Sequence, residues 1–121
     1  MSFEASVYTS LSGSVDVTAL VDGRIFPSVA PEDTLMPCVV YTVLNDMPLE
    51  TLNGPTNLSD AKLQLDCFSN NYDQALDLVA KCMTAIRGDM TVRRATRVVI
   101  YESHLKLYRQ TADFDLWISS T

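Results

Sequence analysis

Three prolines, Pro27, Pro31 and Pro37, stand between Gly23 and the apolar run Cys38-Val39-Val40-Tyr41-Thr42-Val43-Leu44. Proline has no amide donor and restricts the residue before it, so this stretch is neither helix nor central strand. A helix arriving from the N-terminus must stop at Gly23, and a sheet begins at Pro37, which is tolerable as the first residue of a strand. The chain is thereby divided into a helical start, a stiff extended connector and a sheet-forming remainder.

The helical start shows two short amphipathic pieces. Phe3, Val7 and Leu11 recur at i, i+4 and i+8, with Ser2 as a cap and Gly13 as a stop. Ser14 caps a second piece carrying Val17, Leu20 and Val21, closed by Gly23. A long helix is predicted from Tyr72 to Arg87. Its stripe is Tyr72, Leu76, Val79, Met83 and Ile86, with Asn70 or Asn71 as cap, an Asp77–Lys81 pair at i, i+4 and Gly88 as the end.

Four strands are predicted. Cys38–Leu44 is continuously apolar, which fits a strand buried on both faces or one at a subunit contact. Ala61–Ser69 alternates, with Leu63, Leu65 and Cys67 opposite Lys62, Gln64 and Asp66. Val98–Tyr101 and Thr111–Ser119 complete the set. Between the first two lies Asn45–Asp60, rich in Asn, Pro, Thr and Gly, which reads as a long loop, and loops beyond about 12–15 residues are usually functional or disordered. The expected fold is α+β, a single domain over residues 1–121. Two short N-terminal helices precede an antiparallel four-stranded sheet of two hairpins, with one long helix packed on one face.

Composition removes several function classes. The chain is 47% hydrophobic and 20% charged, values of a folded domain, and at 121 residues it buries roughly two-thirds of its unfolded surface. No apolar run reaches the roughly 18 residues of a membrane span, and the start has no signal-peptide pattern, so the cytoplasm is the expected place of synthesis. A net charge of −6 argues against nucleic-acid binding. Cys38, Cys67 and Cys82 are too widely spaced for a zinc site and read as small buried hydrophobes. His104, the single histidine, reads as a turn residue, because no nucleophile elbow, phosphate loop or metalloprotease motif accompanies it. No catalytic, cofactor-binding or metal-binding residue is expected. Asp113 and Asp115, two apart on one strand face, read as a solvated face.

Surface features point instead to assembly. Arg87, Arg93, Arg94 and Arg97 crowd the segment between the long helix and the third strand, without the interleaved aromatics of a nucleic-acid patch. Arg93 and Arg94 are therefore candidates for pairing with carboxylates of a neighbouring subunit, against a solvated turn. Trp117 lies on the polar side of the last strand, either as an interface anchor or in a second core layer.

The order of these elements resembles the tail completion (tail terminator) proteins of long-tailed bacteriophages. The resemblance runs through Gly23-Arg24-Ile25-Phe26-Pro27, Met36-Pro37-Cys38-Val39-Val40-Tyr41 and Leu63-Gln64-Leu65-Asp66-Cys67-Phe68, then Tyr72, Ala75 and Val79, and finally Phe114 and Trp117. Cys38 stands where an aromatic or small residue is expected. The resemblance implies a non-enzymatic virion protein, assembled in the host bacterial cytoplasm into a homo-hexameric ring. The ring would sit on the head-proximal end of the tail tube, stop its polymerisation and meet the head neck. Its partners would be copies of itself, the tube protein and a neck or connector protein, with DNA passing through unbound and no membrane contact. Val39, Val40 and Tyr41 then become candidates for an inter-subunit strand beside Arg93, Arg94 and Trp117. Asp46, Leu49, Glu50, Leu52 and Asp60 become candidates for a loop facing tube or lumen. A head–tail joining ring protein is the alternative within this class, and a small cytoplasmic ligand-binding or enzymatic α+β domain the alternative outside it.

Overall fold

The connector does what its prolines require. In the computed structural model, the backbone is described for residues 3–51, 54–103 and 106–119, and side chains for 4–44, 61–103 and 106–116. Helices α1 (Phe3–Ser12) and α2 (Val15–Val21) lead into a short strand β1 (Ile25–Pro27), and the chain returns as β2 (Cys38–Thr51), parallel to β1. Arg24 fastens both ends of the excursion: its Nε donates to the Pro37 carbonyl at 3.0 Å, and its own carbonyl accepts from Val39 N–H at 3.0 Å. Ser28 N–H closes the far end on the Tyr41 carbonyl at 2.8 Å. The Met36–Pro37 peptide is cis.

Local chemistry sets the helix ends. Ser14 accepts from Val17 N–H through its side chain and caps α2. At the other end Asp22 takes the left-handed conformation (φ 49°), and Gly23 follows at φ 81°. Gly13 is required for space, since a Cβ there would lie 2.9 Å from the Thr9 carbonyl oxygen. Helix α3 (Tyr72–Asp89) starts under the Asn71 side chain, which accepts from Gln74 N–H at 3.0 Å. It runs through Gly88 to Asp89 rather than ending at the glycine, because Met90 supplies the extended cap and its N–H returns to Ile86.

Among the described residues the sheet has five strands, not four, in the order β1-β2-β3-β5-β4, and it is mixed because β1 is parallel to β2. β3 (Gly54–Ser69), β4 (Thr91–Glu102) and β5 (Leu107–Ser119) join by antiparallel pairing. The three-residue β1 is too short to show any alternation, which is why the sequence pattern passes over it. The segment Asn45–Asp60, expected as a loop, is mostly strand. Asp46 pairs with Ala61, Met47 with Asp60, and Glu50 with Pro55, so β2 and β3 form one long hairpin. Its Asn, Pro and Thr content mimics a loop, but the register breaks after Val43 and Pro48 absorb the poor strand formers. β4 likewise begins at Thr91, so Arg93, Arg94 and Arg97 lie on a strand and not in a turn.

The core lies between α1, α2, α3 and one face of the sheet. Val7, Leu11, Val17, Val21, Leu78, Val79, Cys82 and Ile86 meet Val39, Tyr41, Leu63, Leu65, Ala112, Phe114 and Leu116. Each fully buried large side chain contributes about 1.5–3 kcal/mol of transfer free energy. All three cysteines are buried and free, with Cys67 and Cys82 sulfurs 4.0 Å apart. Burial pushes the Cys38 thiol up to about 11, with Arg24 opposing, and the contact with Cys82, together with burial, raises Cys67 well above its ordinary value. Among the described residues, no helix is long and apolar enough to cross a membrane.

Candidate functional site: the open face and open edges of the sheet

The helices cover one face of the sheet, and the opposite face carries a polar network. Asp66 is nearly buried and accepts three hydrogen bonds: from Arg109 Nε at 3.0 Å, Thr111 Oγ1 at 2.7 Å and Gln64 Nε2 at 3.0 Å. Arg109 also reaches Glu102 at 3.3 Å and lies over the Phe68 ring. The 28–36 connector overhangs this network and leaves a groove of about 590 Å³ floored by Val40, Asp66, Phe68 and Arg109. Every Asp66 oxygen is already engaged, so the network is a brace for the open face. Further along, Lys62 Nζ bonds Asp115 at 2.8 Å. That bond, with the positive charges of Lys62, Arg93 and Arg94, holds the Asp115 carboxyl below its usual range. Asp113 is exposed, so the two aspartates on this strand have different surroundings.

The edges differ sharply. β4 is an outer strand of twelve residues without proline. Its residues Val98, Val99, Ile100 and Tyr101 are 50, 50, 36 and 51% exposed, on both faces of the strand. Natural edge strands are usually kept short, charged or covered; the Arg93–Arg97 part of β4 is charged, but the exposed apolar stretch Val98–Tyr101 is a ready template for pairing. Tyr101 leans on Tyr108 at 4.9 Å, and Tyr108 on Tyr72 at 5.6 Å, which braces the end of the strand against α3. On the other side, β1 covers β2 only at Val39–Tyr41. Among the described residues, no strand pairs with Thr42–Thr51 on that side. β3 meets β5 only from Leu58 onward, so the tip of the β2–β3 hairpin extends past the sheet as an arm.

The residues singled out from sequence fall in three places. Val39, Val40 and Tyr41 are buried between β1 and β3, so the subunit's own core accounts for their apolar character. Arg94 is exposed on β4 opposite Asp115, with Arg93 in the bulge beside it. Leu49 and Glu50 lie on β2 toward the arm, whereas Asp46 pairs with Ala61 and Asp60 with Met47 and Trp117, both within the body of the sheet. Leu52 and His104 fall outside the described residues, and Trp117 is placed by its backbone alone. Sequence reasoning missed the Asp66–Arg109–Thr111 brace. Its only trace was the polar side of the Ala61–Ser69 alternation, since Arg109 and Thr111 come from another strand. Among the described residues, no group of His, Cys, Asp and Glu is placed to hold a metal ion.

A small α+β subunit whose polar face is internally braced and whose sheet edges stand open has the design of an assembly component. The chain belongs to the family described as tail completion protein gp17, whose match spans residues 5–119. Membership makes it a structural component of a phage-type particle, of the tail or neck, and implies a non-enzymatic role. The fold is also similar to that of a chain in the virion of a native gene transfer agent particle, with a TM-score of 0.64 at 11% identity, covering 97% of this chain and 94% of that one. The comparison with curated proteins found no match.

Proposed function

We propose that this protein caps the head-proximal end of a phage-type tail tube, stops its polymerisation and forms the joint to the head neck. The family match over residues 5–119 carries this reading. In it, copies close into a six-membered ring on the last turn of the tube. The outer half of the β2–β3 hairpin, with Asp46, Glu50 and Asp60 and no basic residue between Asn45 and Asp60, faces the tube or the lumen, and its arm reaches furthest. Each copy brings a net charge of −6, and a negative lumen lets DNA slide through without sticking. The open edges support this reading, because a ring subunit needs two different surfaces that fit one another.

Gold-labelled antibody on purified particles and on headless tails tests the position. Label at the head-proximal end of tails that have not yet met a head supports capping. Label found only on filled heads lacking tails makes the protein a head-side joining component and overturns the capping role.

A further inference from the structure

The free edge of β4 and the free edge of β2 are chemically complementary. Arg24 is the sole basic residue among residues 1–61, which hold eight acidic ones, whereas residues 62–121 hold eight basic and seven acidic. The strand order β1-β2-β3-β5-β4 nearly follows the chain, so this imbalance in sequence becomes a gradient across the sheet. The β4 edge presents exposed Arg94 and Arg97 beside Val98–Tyr101, while its single acid, Glu102, is engaged by Arg109. The open stretch of β2, Thr42–Thr51, carries Asp46 and Glu50 and no basic residue. Both are extended backbone in need of hydrogen-bond partners, and they are of comparable length.

We propose that β4 of one copy adds to the open stretch of β2 in a second copy of this chain, continuing the sheet from subunit to subunit. The inference rests on the reading of the protein as an assembling virion subunit and names the surfaces it uses. Main-chain hydrogen bonds supply the attachment, Val98–Tyr101 lose their exposure, and Arg94 and Arg97 approach Asp46 and Glu50. Pairing of β4 with β4 is disfavoured because it brings two arginine-rich edges together. Each copy uses one edge of each kind, so the contact is heterologous and propagates until a ring closes. The three-residue β1 is too short to receive a strand of this length and leaves the acidic stretch beyond it, where only Pro48 lacks an amide donor, as the receiving edge.

The test is sedimentation of the purified full chain at low and moderate salt. Arg94→Glu with Arg97→Glu should weaken self-association by roughly tenfold, with unchanged circular dichroism. Adding Asp46→Arg and Glu50→Arg to that variant should restore assembly by exchanging the charges. Val98→Lys with Ile100→Lys, at positions already exposed, should also give monomer without unfolding. Assembly that survives all these changes, or a charge exchange that restores nothing, overturns the β4–β2 contact. So does a wild-type chain that stays monomeric, and if that monomer still decorates tube ends, the capping role stands without this interface.

Discussion

Replacing Asp66 separates two explanations of the braced open face. Its Oδ1 takes both Arg109 Nε and Thr111 Oγ1, and its Oδ2 takes Gln64 Nε2. Asn at this position keeps one oxygen for Arg109 and Thr111, and turning the Gln64 carboxamide over restores the third bond. What remains lost is the charge, and because Arg109 is part-exposed the loss is about 1–2 kcal/mol. Ala removes both acceptor oxygens and all three hydrogen bonds, strands the buried Thr111 hydroxyl and leaves Arg109 with Glu102 alone, at a cost of about 3–4 kcal/mol. Urea unfolding at matched protein concentration reads both values, and each kcal/mol corresponds to about 4 °C of melting temperature for a chain of this size. Equal losses for Asn and Ala would refute the acceptor argument. An Ala variant within about 0.5 kcal/mol of wild type, the usual range for surface changes, would refute the brace itself.

Three further outcomes follow from particular contacts. Gln110 is fully buried, and neither its Nε2 nor its Oε1 finds a partner among the described residues, so Gln110→Leu should hold or gain about 1 kcal/mol by thermal melting, and a clear loss would contradict this. Asp115 has its folded-state pKa lowered from the ordinary 3.8, chiefly by the Lys62 hydrogen bond, so its stabilisation is present above that value and lost as pH falls through the folded pKa. Lys62→Met should therefore narrow the stability difference between neutral and acid pH, and an unchanged pH profile would count against the pair. Deleting Met47 to Asn57 removes the arm and the β2 residues that pair with Ser59 and Asp60, and leaves the pairing from Cys38 to Asp46 intact. It should give a folded protein by circular dichroism that no longer caps tubes in complementation assays. Normal tails from that variant would dissociate the arm from capping.

The helices, the core and the connector were legible because each rests on local rules. The Val7–Leu11 and Val79–Ile86 spacings, the Ser14 and Asn71 caps and the proline run all act within a few residues. On α3, however, the fully buried leucine is Leu78 and not the expected Leu76, and Tyr72 is exposed. The β2–β3 arm was not legible, since its strand character comes from pairing across the hairpin and overrides a composition of Asn, Pro and Thr. The extent of β4 was hidden for a related reason. Arg93, Arg94 and Arg97 read as a turn until Arg94 is placed opposite Asp115 and the strand is seen to begin at Thr91. Apolar character alone also could not tell a buried strand from an interfacial one. Cys38–Tyr41 and Val98–Tyr101 look alike in sequence, but the first lies inside the sheet and the second at its edge.

Electron microscopy of lysates made with and without this gene product tests the central claim most directly. Capping predicts that, in its absence, tubes grow past their normal length or finished tails accumulate unattached to heads, and that supplying the protein restores joined particles. Particles of normal length and joining in its absence would contradict the account.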